Sequence, residues 1–164
     1  MYIEKWWGEY IGGTDDTYTL LDYFSKDKNT DYTLAGVLKD FGIAERQECE
    51  SVRQTKDIRY FDDDGGRHHD IDIAIDFIMD LSAILLECLV AGSVMLSKLG
   101  ADSEKEITIR AGCQEMDMLL GILTDFAENP LQYDLAEMCP EEDMHEMAGQ
   151  IRELCGELEK HRQV

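Results

Sequence analysis

Apolar positions along this chain recur with a period near 3.6 in several stretches and with a period of two in one, which divides it into helices and strands. Asp70-Ile71-Asp72-Ile73-Ala74-Ile75 alternates, with Ile71, Ile73 and Ile75 on one face. Paired with Ile58 to Phe61 it predicts a β-hairpin. Asp62-Asp63-Asp64-Gly65-Gly66 supplies its turn, since these residues tolerate positive φ. The period then lengthens. Ile78, Leu81, Ala83, Leu85, Leu89 and Val94 to Leu96 predict a long helix from Asp76 to Leu99, with Gly92 as a candidate break. Glu106 to Arg110 is a third candidate strand. Met116, Leu119, Leu120, Leu123 and Phe126 space as a helix that Asn129-Pro130 ends, because the residue before proline is pushed out of the helical region. Met144, Met147, Ile151, Leu154 and Leu158 form the stripe of a last helix, Glu141 to His161. Pro140 sits at or near its first turn, where a missing N–H costs little.

The N-terminal part is less periodic. Ile3 to Ile11 is rich in aromatic and β-branched residues and stops at Gly12-Gly13, which predicts a short strand or an extended arm. Thr14-Asp15-Asp16-Thr17 reads as a helix start. Thr14 can cap free backbone N–H groups, and the two aspartates sit where the helix dipole favours negative charge. This helix is expected to bury Tyr18 and Leu21, with Phe24 or Leu20. A shorter helix, Leu34 to Phe41, follows the cap Thr33 and stops at Gly42. No repeat or low-complexity linker interrupts the chain, and its two prolines mark no boundary. The expectation is a single α+β domain over residues 1–164, helix-rich, with a small antiparallel sheet built around the hairpin.

Composition adds a charge argument. Hydrophobic residues make up 44% of the 164 positions, enough for a core without disulfides or metal. Thirty-six Asp and Glu stand against fifteen Lys and Arg, a net charge of -21. That excludes a general nucleic-acid binder, which needs a cationic surface, and docking on anionic lipid. It favours a basic partner drawn in by long-range attraction. The charge is uneven. Ala111 to Ile151 holds ten Asp and Glu and no Lys or Arg, and Asp62 to Asp80 holds seven Asp opposed by Arg67. Such a face can mimic the phosphate array seen by a basic nuclease or a translation-targeting toxin. Rim charges would speed encounter and a few buried anchors would set affinity. Charge density therefore nominates Asp62, Asp63 and Asp64 on the hairpin, and Glu137, Glu141, Glu142, Asp143 and Glu146 around the last helix start. Trp6, Trp7, Tyr10, Tyr18, Tyr23 and Phe24 are candidate anchors too, but at least half are expected in the core.

Catalytic and cofactor readings are weaker. Asp62-Asp63-Asp64 with His68-His69 offers hard ligands but lacks EF-hand spacing, HExxH and a cysteine knuckle, so an acidic turn in water is the simpler expectation. Cys139 and His145 lie near a helix start, yet Glu137, Glu141, Glu142 and Asp143 would raise the thiol pKa rather than lower it. Gly12-Gly13 is followed by two aspartates and no lysine, which defeats a phosphate loop. No catalytic residue, cofactor or metal is assigned. Five cysteines, with no CxxC, fit reduced thiols in a cytoplasm, with Cys88 and Cys155 as small core residues. No secretory signal is evident, and Ile71 to Leu99 carries too many charges for a membrane span.

The run Trp6-Trp7-Gly8-Glu9-Tyr10-Ile11-Gly12-Gly13-Thr14-Asp15-Asp16-Thr17, followed by Leu20-Leu21-Asp22-Tyr23, resembles the small bacterial immunity proteins of polymorphic-toxin and contact-dependent growth-inhibition systems, with immunity protein family 41 the nearest group. Asp80 to Glu87, and Glu128 to Asp134 running on to Cys139-Pro140-Glu141-Glu142-Asp143, share the likeness. The resemblance implies a non-enzymatic cytoplasmic protein that binds and blocks the C-terminal toxin domain of a delivered effector, without touching nucleic acid or membrane. It implies no catalytic residues. Because immunity proteins diverge where they meet their own toxin, the shared run is expected to support the fold. Two other classes fit the acidity: a secretion chaperone and a DNA-mimic inhibitor of a nucleic-acid-binding protein. An obligate dimer with a non-native client would mark the chaperone.

Overall fold

The structure is a computed structural model that describes residues 2–43, 50–62 and 66–162. Its helices are α1 (Asp15–Lys26), α2 (Leu34–Asp40), α3 (Glu50–Arg53), α4 (Ala74–Ala91), α5 (Cys113–Glu128) and α6 (Glu141–Lys160). Its strands are β1 (Asp31–Thr33), β2 (Arg59–Phe61), β3 (His68–Asp70), β4 (Val94–Met95) and β5 (Glu106–Arg110). Helix α4 is the axis. Every residue from Ala74 to Cys88 is buried, so this helix is covered on all sides. A 3-10 turn at Tyr2–Lys5, α1, α3, α5, α6 and β5 pack around it. The buried side chains of these elements join one hydrophobic cluster.

Local chemistry explains most element ends. Thr14 and Thr17 close a capping box at the start of α1. At the other end of α1, Lys105 Nζ donates to the free carbonyls of Phe24 and Asp27, both at 2.6 Å. Thr33 Oγ1 accepts from Gly36 N to start α2, and Gly42, at φ +83°, follows its end. Gly92, at φ +90°, stops α4 with its N–H on the Cys88 carbonyl.

The α+β expectation holds, with two sheets. In the larger, β5 is central: β1 runs parallel to it, with Tyr32 opposite Ile109, and β4 antiparallel, with Val94 opposite Ile107. The hairpin β2–β3 stands apart, with Tyr60 opposite His69.

Several expectations are corrected. Ile3 to Ile11 is neither strand nor arm: it begins as a 3-10 turn and folds back so that Trp7 and Ile11 bridge. Tyr18 is not buried but 62% exposed, while Leu20, Leu21, Tyr23 and Phe24 face the core. The second hairpin strand is His68–Asp70. Ile71, Ile73 and Ile75 are buried, yet they lead into and begin α4. Val94 to Leu96 does not continue that helix: Val94 and Met95 pair with β5, and Leu96–Leu99 is a 3-10 turn. The ends of α5 and α6 lie where the periodicity puts them.

Candidate functional site

The carboxylates divide into two populations. One is inside. Asp76, Asp80 and Glu87 project from α4 and are 6%, 1% and 2% exposed. Asp80 accepts from Gly12 N at 2.8 Å and from Thr17 Oγ1 at 2.6 Å. Glu87 accepts from Ile3 N at 2.9 Å. Asp16, in the first turn of α1, reaches across to accept from Asp72 N at 2.7 Å and Ile73 N at 2.9 Å. These N–H groups lie at the start of α4, where Ile73 provides no side-chain cap. Ala74 N donates to Thr55 Oγ1, which with Thr55 N donates to Asp134. Three distant segments therefore serve one helix N-terminus.

This interior is costly for charge. Burial pushes Asp76 up to about 8, helped by the neighbouring Asp80, Asp16 and Asp134 carboxylates. Asp80 is pushed up to about 7, again mainly by burial, against the lowering effect of its Thr17 and Gly12 donors. Asp16 shifts upward for the same reason, against its two N–H donors. Sequence reading missed this group. Its signal was positional: residues 76, 80 and 87 fall on one face of a helix otherwise almost wholly apolar.

The second population is outside, and includes most of the residues nominated from charge density. Glu141, Glu142 and Asp143 form the first turn of α6, where the dipole favours them. Glu137, Glu141, Glu142 and Glu146 are exposed and Asp143 is half-buried. Tyr10 OH donates to Glu146 at 3.0 Å and lies 3.4 Å from Asp143, tying the N-terminal loop to this helix. Removal from water, then the bond to Glu146, pushes the Tyr10 phenol up to about 12. On the hairpin, Asp62 Oδ1 lies 3.0 Å from His69 Nε2. Asp63 and Asp64 lie outside the described residues. Among the described residues, Asp62 contacts His69, while the α6 group contacts Tyr10 and His145.

Other chemistry is limited. The Cys139 thiol is pushed up by burial and by the Asp76 and Asp143 carboxylates, opposite to what a nucleophile needs. His145 lies 3.4 Å from Glu141 instead. Cys88 is buried, with its thiol pushed up to about 11, and Cys155 packs against the core. Cys49 lies outside the described residues. Among the described residues, no group of three or more His, Cys, Asp or Glu is placed to hold a metal ion. Nor is any helix there long and apolar enough to cross a membrane.

The three stretches that carry the family resemblance meet around α4. Gly12, Asp16 and Thr17 come from the first, Asp80 and Glu87 from the second, Asp134 from the third. The Immunity protein 68 family matches residues 2–158. The chain belongs to that family. Its toxin-neutralising class is the one the sequence resembles, under number 68 where the likeness pointed to 41. No curated protein and no solved structure matches the chain.

Proposed function

We propose that this chain neutralises one cognate toxin domain by stoichiometric binding in the cytoplasm, without catalysis or a cofactor, as a single immunity-protein-like domain over residues 1–164. The toxin domain is basic, in the manner of a nuclease, and is the C-terminal part of a larger effector. The family match over nearly the whole chain carries the reading. The net charge of -21 supports the choice of a basic partner. The partner-binding residues in this reading are Asp62, Asp63 and Asp64 at the hairpin, with Glu137, Glu141, Glu142, Asp143 and Glu146 at the start of α6.

The test pairs the chain with the C-terminal domain encoded by the gene immediately upstream. A one-to-one complex that restores growth against that domain is the expected result. No complex and no protection would overturn the reading. The variant Glu141→Gln, Glu142→Gln, Asp143→Asn should slow association by about tenfold at low salt, with less effect at 0.5 M salt, because exposed charges act chiefly on the encounter rate. An unchanged on-rate at low salt would remove the α6 patch from the interface.

A further inference from the structure

Beside Asp62 the surface opens into a cleft of about 610 Å³, walled by the end of α1, the end of α2 and strand β2. Tyr23, Tyr60 and Phe61 make its aromatic side. Tyr60 is buried, stacked on His69 with ring centroids 4.7 Å apart, and set edge-on to Tyr23 and Phe41. The Tyr60 phenol oxygen is shielded from solvent and has no hydrogen-bond partner among the described residues. Buried hydroxyls are normally paired, so this one is an exception within the wall behind the cleft. The next residue, Phe61, leaves 62% of its surface in water. A large exposed ring beside a concave wall is what an interface anchor looks like before its partner arrives.

The rim sets the sign of the occupant. Asp27, Asp40, Asp57 and Asp62 line it, with Lys26, Lys39 and Arg59. Arg59 is already engaged, 3.2 Å from Asp57 and 3.1 Å from Asp70. Asp40 accepts from Tyr23 OH at 2.6 Å, which holds that ring against the wall. With the Asp57–Arg59 pair set aside, Asp27, Asp40 and Asp62 face Lys26 and Lys39. An anionic group would meet the repulsion of the carboxylates. An apolar side chain would strip water from them and return no hydrogen bond. A basic side chain meets aromatic rings and carboxylates together.

We infer that this cleft is an anchor site for the toxin, taking one basic side chain from a toxin loop between Tyr60 and the Asp40–Asp62 rim while Phe61 packs over it. This rests on the immunity reading above and adds the place and chemistry of the contact. It also gives Asp62 a specific role.

Equilibrium binding to the same upstream-encoded domain tests it, with three variants at exposed positions. Phe61→Ala should weaken binding by about tenfold or more, as loss of an aromatic anchor does. Asp40→Asn, which can still accept from Tyr23, should weaken it about threefold to tenfold. The double variant Lys26→Gln, Lys39→Gln should tighten it, because it removes like charge from the occupant's path. That inverted sign separates a cationic occupant from general damage, and the lysine variant keeps the test open if Phe61→Ala folds poorly. If the natural chain binds and all three variants bind within about twofold of it, or if the lysine variant binds more weakly, the cleft inference is overturned while the immunity reading stands. If the natural chain neither binds nor protects, both fail.

Discussion

Asp76→Asn is the most demanding test of the structure, because it replaces a buried acid with its neutral isostere. Asp76 lies in the first turn of α4 at 6% exposure, near Asp80, Asp16 and Asp134. Its pKa rises from the ordinary 3.8 to about 8, so at neutral pH the folded chain keeps a proton that the unfolded chain has released. A native state that binds more protons than the unfolded state loses stability as pH rises. The loss begins at the unfolded pKa and ends at the folded one, here between 3.8 and about 8. One proton is worth about 1.4 kcal/mol per pH unit, which accumulates to about 4 kcal/mol at pH 7. Asparagine carries no such proton in either state. The variant should therefore match the natural chain near pH 4 and gain on it by about 1.4 kcal/mol per pH unit above that. Urea unfolding of both chains at pH 4.5, 5.5, 6.5 and 7.5 measures the difference. A difference that stays flat across this range, or a natural chain that is the more stable at pH 7.5, would refute the placement of Asp76 in a dry acidic interior.

Two further predictions follow from named contacts. Asp125 is held below the usual carboxylate range, first by hydrogen bonding to Arg53 at 2.7 and 2.9 Å and also by the Tyr133 hydroxyl at 2.6 Å. Its contribution is complete above the ordinary carboxylate pKa and is lost as pH falls through its lowered folded value. With the opposite slope from Asp76 and Asp80, thermal melts should place maximum stability near pH 4 to 5; a maximum at pH 8 would contradict the raised Asp76 and Asp80 values, and unchanged stability of an Asp125→Asn variant relative to the natural chain from pH 2 to 5 would contradict the lowered Asp125. Gly12 sits at φ +80° with the Trp7 ring where a methyl group would go, whereas Gly121 lies exposed within α5 with open space around it. Gly12→Ala should cost about 2 to 4 kcal/mol and Gly121→Ala should gain about 0.5 to 1 kcal/mol by chemical denaturation; equal effects would overturn the packing of the N-terminal loop.

What was legible in the sequence was local. Thr14 and Thr33 announce α1 and α2 because a capping side chain and the N–H it serves lie three residues apart. The stripes of α5 and α6 are long enough for their period to be unmistakable. What was illegible depends on distant partners. The alternation of Ile71, Ile73 and Ile75 reads as strand, yet Asp16 takes up the N–H groups of Asp72 and Ile73 and the chain turns into α4. Strands β1 and β4 span three and two residues, too short to show a period, and exist because β5 pairs with both. An aromatic at position 18 suits the stripe, but the buried side of α1 is set by Leu20, Leu21, Tyr23 and Phe24. For the candidate site, sequence supplied the exposed acids of α6. It did not separate them from the buried acids of α4, because composition does not report depth.

Depth is what gives this chain's acidity two uses. A carboxylate inside a protein is stable only if hydrogen bonds meet it or a proton stays on it. Asp16 and Glu87 are met by backbone N–H groups, and Asp80 by an N–H and a hydroxyl. The donors belong to Ile3, Gly12, Thr17, Asp72 and Ile73, so these acids decide how the N-terminal segment lies on α4 and where α4 begins. The run from Trp6 to Thr17 is thereby occupied with architecture: Trp7 Nε1 donates to the Leu99 carbonyl at 3.0 Å, Gly12 to Asp80, and Thr14 to its capping partner. On the proposed function, a surface that suits one toxin and changes with it is not built from groups so constrained. Among the described residues, the side chains of Phe61, Glu141 and Glu142, on the hairpin face and the first turn of α6, make no such interior bonds. On the same proposal, substitution there alters partner choice at little cost to the core. On the proposed function, exchanging these two surfaces between members of the family should therefore transfer toxin specificity while leaving the melting curve nearly unchanged, whereas exchanging the Gly12–Thr17 segment should disturb stability before specificity.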